Sequence, residues 1–110
     1  MPPTNVSGTL TTTVGSQHFV YSQTDAATTQ FFIDTVNMQN GDVLEVRSHY
    51  LVGGSSRVLD YYLYSGMQSP NDYIKALPPI GAGAGNEVSI SVSQVAGTSR
   101  SFPWKVVNYG

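Results

Sequence analysis

From Val88 to Ser93 the chain alternates without a break, so that Val88, Ile90 and Val92 share one parity while Ser89, Ser91 and Ser93 share the other. Only a strand with one face buried turns this pattern into a continuous apolar stripe, because successive side chains of a strand point to opposite faces. Similar stretches rich in Thr, Val, Tyr, Phe and Ile recur along the chain, punctuated by Gly, Asn or Asp turn signals about every ten residues. The expectation is an all-β fold, an antiparallel β-sandwich or jelly-roll-like barrel of about eight strands. The strands fall near 8–14, 17–23, 30–36, 42–52, 57–65, 72–77, 87–95 and 101–108. Val95 leaves the alternation, which places a bulge near Gln94.

A length of 110 residues gives one domain spanning the chain, with residues 1–7 as an extended N-terminal arm. Cysteine is absent, so packing and strand pairing must supply the stability. The opening "MPPTNVSG" has neither the basic nor the apolar region of a signal peptide, and no apolar run reaches membrane-spanning length. The expectation is a soluble, non-secreted product with no membrane partner.

Charge is the unusual quantity. Five Lys and Arg and seven Asp and Glu make 11% of the chain, against about 25% in an average soluble domain. A surface so covered by Ser, Thr, Asn and Gln suits a protein packed against neighbours, since interface centres are depleted in Lys, Glu and Asp. A net charge of −2 with no basic cluster excludes nucleic acid as the expected partner.

The clearest hairpin is "VLEVRSHYLVGGSSRVLDYYLY". A turn on Gly54 and Ser55 pairs Tyr50 with Leu59, Ser48 with Tyr61 and Val46 with Leu63 on the core face. The outer face then pairs Leu51 with Val58, His49 with Asp60, Arg47 with Tyr62 and Glu45 with Tyr64. Before it, "NMQNGD" is a turn on Asn40-Gly41 in which Asp42 bonds to nearby backbone and Met38 tucks beneath. "LPPIGAGAGN", 77–86, reads as a flexible loop that sustains no strand. In the last stretch, Phe102, Trp104 and Val106 close the core, with Trp104 as a lid. Pro103, which has no amide hydrogen, points to an edge strand or an outward position. The opposite parity carries Lys105, Val107 and Tyr109, so Val107 and Tyr109 are expected to meet another subunit.

Tests for chemistry give little. His18 and His49 are too few for a three-His zinc site, and Asp34, Asp42 and Glu45 lack the spacing of an EF-hand loop, so no metal is expected. His49 opposite Asp60 reads as a cross-strand polar pair, since no G-x-S-x-G turn exposes a nucleophilic serine. "GAGAG", 81–85, precedes a strand and lacks the helix N-terminus of a phosphate loop. Asn5-Val6-Ser7 matches a glycosylation sequon, which has no meaning without secretion. Neither an enzyme nor a cofactor is expected. The weightiest constellation is Tyr62 and Tyr64 beside Arg47 and His49, a mixture that suits a protein partner or a sugar ring.

Two segments, "MQNGDVLEVRSHYLVGGSSRVLDYYLYSGMQS" and "VSQVAGTSRSFPWKVV", resemble small β-structured virion proteins of tailed bacteriophages. The likeness lies in the Met-x-x-Gly-Asp turn at 38–42, the long hairpin after it, and the ending Gln-x-Ala-Gly-Thr, Phe-Pro-Trp, and covers about two-thirds of the chain. The resemblance implies a virion component assembled in the host cytoplasm, of the capsid decoration or cement type, contacting the major capsid protein or another virion protein as a homo-oligomer, by analogy a trimer. The implied interface residues are Val107, Tyr109, Tyr62, Tyr64 and Arg47. A neck, tail or fibre component and a carbohydrate-binding β-sandwich module are the alternatives.

Overall fold

The computed structural model describes residues 4–24, 27–82 and 87–109. They form β1 (Thr4–Thr11), β2 (Gln17–Gln23), β3 (Ala27–Asp34), β4 (Val43–Val52), β5 (Ser55–Ser65), a 3-10 turn (Pro70–Asp72), β6 (Ile74–Ala76), β7 (Ile80–Ala82), β8 (Val88–Ala96) and β9 (Ser101–Tyr109). Two antiparallel sheets face one another as a sandwich. One has the order β1-β9-β3-β6, with β7 also on β3, and the other β2-β8-β4-β5.

Between them lies a core of Phe31, Ile33, Met38, Leu44, Val46, Val88, Ile90, Val92, Phe102 and Val106, with Leu77 and Ile80 at its edge. Hydrogen bonds also link the sheets: Asn108 Nδ2 donates to the Tyr21 hydroxyl at 2.9 Å, and at the surface the Tyr50 hydroxyl donates to the Gly81 carbonyl at 2.6 Å.

Several expected features stand. Val88, Ile90 and Val92 face inward, Met38 is fully buried, and the β4–β8 register shifts between Val43 and Leu44, where Gln94 and Ala96 bracket an exposed Val95. Others are corrected. From Thr4 onward, the expected arm is the first half of β1, paired along β9 from Thr4↔Asn108. The stretch 77–86, expected to sustain no strand, contributes β7, while its residues 83–86 lie outside the described residues. Leu77 and Ile80 account for this: both are buried, and their apolar burial holds the segment against β3.

The strand β9 is not at an edge, since it runs between β1 and β3. Pro103 is accommodated because its ladder with β3 reaches only to Ile33↔Trp104, leaving Pro103 opposite Thr9 of β1 alone. Phe102 and Val106 are buried as expected. Trp104 is half-buried, tilted over Phe31 at 6.3 Å between ring centroids and lying against Gly8. A Cβ on Gly8 would come within 2.9 Å of the indole, so glycine there is what lets the lid close.

The hairpin is shifted. Its two-residue turn is Gly53-Gly54, both with positive φ, flanked by Val52↔Ser55. Positive φ at both central residues is the type I′ geometry, which a Gly-Gly pair adopts without strain, so the turn forms one residue before the expected Gly54-Ser55. A bulge at Leu59 then slips the register by one, giving Arg47↔Tyr61, Val46↔Tyr62 and Leu44↔Tyr64. A one-residue slip exchanges the two faces of a strand. Tyr62 and Tyr64 therefore turn toward the core, and Tyr61 and Leu63 outward.

Three connections that cross between the sheets meet at one end of the sandwich: β1–β2, β3–β4 and β8–β9. Asp42 is buried there. Its Oδ2 accepts from the Gln39 amide and from Arg100 Nε, both at 2.9 Å, and its Oδ1 from the Thr98 amide at 3.1 Å. Gly97 sits so close that a Cβ would lie 2.0 Å from Asp42 Oδ1. Beside this clamp the Gln94 carboxamide is fully buried, accepting from the Thr12 hydroxyl and donating to the carbonyls of Ala96 at 3.1 Å and Thr98 at 2.6 Å.

Burial alone would raise the Asp42 pKa, but the Gln39 and Thr98 amides and Arg100 together hold it below the usual aspartate range. A depressed folded value contributes stability that is complete above the unfolded value and is lost as pH falls through the folded one. Asp42→Asn should therefore cost roughly 2–4 kcal/mol at neutral pH. In urea unfolding, the difference from wild type should hold down to about pH 5 and shrink below about pH 4. Phe102→Ala should cost roughly 3–5 kcal/mol and Trp104→Ala less, about 2–3 kcal/mol, since the indole is only half-buried. Equal costs for the two would place Trp104 wholly inside.

Candidate functional site

The two outward faces differ in chemistry. On the β2-β8-β4-β5 sheet, the pairing aligns Phe19, Ser91, Arg47 and Tyr61 in one row across all four strands. Gln17, Ser93, Glu45 and Leu63 form the row on one side, and Ser22, Ser89, His49 and Val58 the row on the other. Apolar and aromatic groups thus stand along β5 and at Phe19, and the middle is a column of serine hydroxyls beside a charged column.

Hydrogen bonds fasten this grid. Ser91 receives Gln17 Nε2 at 2.9 Å and lies 2.8 Å from His49 Nε2. Phe19 packs on the His49 ring at 5.2 Å between centroids. Arg47 donates to Glu45 at 3.2 Å and sits over the Tyr61 ring at 4.8 Å. The Tyr61 hydroxyl donates to the same Glu45 carboxylate, a bond that raises the phenol pKa. Phe19 is 61% exposed and Tyr61 47%, so both are open to solvent on this face.

The His49–Asp60 pair is not formed. The Gly53-Gly54 turn sets His49 opposite Val58, and beyond the bulge Asp60 lies opposite Ser48 and accepts from its hydroxyl at 3.1 Å. His49 and Ser91 have the spacing of a base and a nucleophile. Yet Ser91 is only 1% exposed, on a strand paired along both edges, where no pair of free amides surrounds it as an oxyanion site requires. The hydroxyl is a structural link between β2 and β4. The three carboxylates near the Asn40-Gly41 turn are engaged separately: Asp42 in the clamp, Glu45 with Arg47 and Tyr61, and Asp34 accepting from the Val36 amide at 3.0 Å.

The β1-β9-β3-β6 sheet carries an open groove of about 540 Å³ on its outer face. Phe32, Ile74, Pro103, Val107 and Tyr109 form its apolar lining, with Asp34 and Lys105 also at its wall. Strand alternation builds it: Phe32 and Asp34 are among the outward residues of β3, and Pro103, Lys105, Val107 and Tyr109 among those of β9. The β6 edge adds Ile74 opposite Asp34.

The five expected interface residues are not brought together. Val107 and Tyr109 line this groove, and Arg47 belongs to the opposite face. Tyr62 and Tyr64 pack against the core between the sheets, where Lys75, itself ion-paired to Asp72 at 2.6 Å, lies 5.0 Å from the Tyr64 ring centroid. Burial, then Tyr62 and Asp72, push the Tyr64 phenol up. The sugar platform expected on these two tyrosines is thus absent from the surface. Phe19, Phe32, Tyr61 and Ile74 were not legible as surface residues. Phe19 precedes a bulge in β2, Phe32 sits in an apolar pair with Phe31, and Tyr61 follows the bulge in β5.

No protein-family model, curated protein or solved structure matches the chain.

His49 is held below the ordinary imidazole range, first by burial and second by the Arg47 charge. Titration followed by NMR should place its midpoint under about 6.5. Arg47→Gln should raise that midpoint only part of the way, since burial persists; full recovery would make the Arg47 charge the main cause.

Proposed function

We propose that this chain is a structural protein that works by packing rather than by chemistry: a tailed-phage virion component of the capsid decoration type that its two motif segments resemble. The observation that carries this reading is the apolar groove of Phe32, Ile74, Pro103, Val107 and Tyr109 on the outer face of a sheet. A groove built on rigid, hydrogen-bonded strands presents preorganised apolar area, so little ordering cost opposes a docked partner. The low charge of the chain, 11% Asp, Glu, Lys and Arg, agrees with a surface meant to be covered. In this reading the groove receives a segment of the major capsid protein or of another virion protein. Binding rests on apolar burial and neutral hydrogen bonds. Repeated over many lattice points, such binding stabilises an expanded shell by mass action, because the ligand recognises only the assembled form.

The experiment is addition of purified protein to pre-formed, expanded capsids that lack it. Occupancy should saturate and the rupture temperature should rise. Val107→Ser with Tyr109→Ser should keep the fold, as both side chains point outward, and weaken occupancy at least about tenfold. Binding should persist between about 0.1 and 1 M salt, since apolar contacts are not screened. Wild-type occupancy by the double variant would remove the groove from the interface, and attachment to tail or neck alone would remove the capsid.

A further inference from the structure

The strand β5 is the longest of the described strands at eleven residues, and it is an edge, with β4 as its one neighbour among the described strands. Val58, Leu59, Tyr61 and Leu63 are all exposed along it. Natural edges are blunted by proline, lysine, short length, a bulge or inward charge, and this one carries the bulge at Leu59. Here neither proline nor lysine occurs, and the two charged residues are Arg57 and Asp60. Arg57 forms no ion pair among the described residues, and Asp60 accepts from Ser48 through Oδ2.

We propose that this edge is closed by a second copy of the chain, β5 running antiparallel to the partner's β5 about a two-fold axis between Val58 and Leu59. The register follows from the bulge. In a regular strand, residues three apart face opposite ways. Because Leu59 is the extra residue, Arg57 and Asp60 lie opposite Tyr50 and Ser48, two residues of the same parity on β4, and so share a face. Two-fold pairing then sets Arg57 against the partner's Asp60 and, by symmetry, Asp60 against the partner's Arg57. The same register places Ser56 against the partner's Tyr61, outward with outward, and Ser55 against the partner's Tyr62, inward with inward. Val58 and Leu59 of both copies meet around the axis. Sliding the strands by one pair further along opposes Arg57 to the partner's Tyr62 and forfeits both ion pairs, so charge selects between registers that the faces alone allow. The result is one continuous eight-stranded sheet, in place of the three-fold assembly that the resemblance implies. The contact stands independently of the virion reading.

Sedimentation velocity of the full chain across a concentration series should show a species of twice the 11.8 kDa chain mass. Arg57→Asp and Asp60→Arg, each alone, should weaken it at least about tenfold, because each sets like charges against each other twice. Mixed in equal amounts, the two variants should restore the dimer, since in the mixed pair both oppositions are again complementary. Circular dichroism reports whether Asp60→Arg, which loses the Ser48 bond, is folded. Should it not fold, Leu59→Lys decides, placing two like charges beside the axis on an exposed position: dissociation supports the contact, and an intact dimer overturns it. A monomeric or trimeric wild type, a dimeric Arg57→Asp, or folded variants whose mixture stays monomeric would overturn it equally.

Discussion

The carboxylate of Asp42 is the contact on which the arrangement of the two sheets depends. A buried charge is tolerated only when its lone pairs are met, and here three donors meet them: the Gln39 and Thr98 amides and the Arg100 guanidinium. Gln39 stands before β4, and Thr98 and Arg100 stand between β8 and β9. The bonds therefore tie the crossing into one sheet to the crossing back out of it. Gln94 and Thr12 add the β1–β2 connection, with Gly15 donating its amide to the Gln94 carbonyl at 2.8 Å. Three chain crossings share one polar plug, and the apolar core starts directly beneath it at Met38 and Leu44.

This plug gives a physical account of two sequence segments that otherwise read as separate motifs. Met-x-x-Gly-Asp supplies the buried methionine and the carboxylate, and Gln-x-Ala-Gly-Thr supplies the carboxamide, the amide of Thr98 and the glycine whose missing Cβ makes room for Asp42. Neither segment has a reason for its composition without the other. The residues on which the resemblance was expected are thus ones that close a sandwich, and the function proposed above draws on the groove.

Much of the fold was legible because alternation is a strong constraint where one face is buried. Val88, Ile90 and Val92 on β8, and Phe102 and Val106 on β9, announce their orientation in sequence. The turn at Asn40-Gly41 was equally plain, since an Asp after a glycine has backbone amides within reach. What failed were features that depend on a single extra residue. Nothing in "SSRVLDYYLY" marks Leu59 as the bulge, as Val58, Leu59 and Tyr61 are equally good strand formers. One unmarked slip moved Tyr62 and Tyr64 from surface to core and dissolved the expected aromatic site with Arg47. Pro103 allowed two readings, an edge strand or an outward position, and the second holds: its strand is central, Pro103 faces outward, and the β3 ladder ends one residue earlier, so no rung is lost there. The groove was half legible, through Val107 and Tyr109. Its other wall comes from Phe32 and Ile74, far away in sequence, and no local pattern announces that juxtaposition.

The pairing of Thr4 with Asn108 carries a mechanical consequence. The first and last described strands are antiparallel neighbours, so a force applied at these two residues pulls them directly apart and opens the β1–β9 ladder one rung at a time. The same force applied along strands, for example between Val52 at one end of β4 and Ala96 at the other end of the antiparallel β8, loads the β4–β8 ladder in shear and must break its rungs together. The molecule is therefore weak when peeled from its ends and strong when stretched along its length.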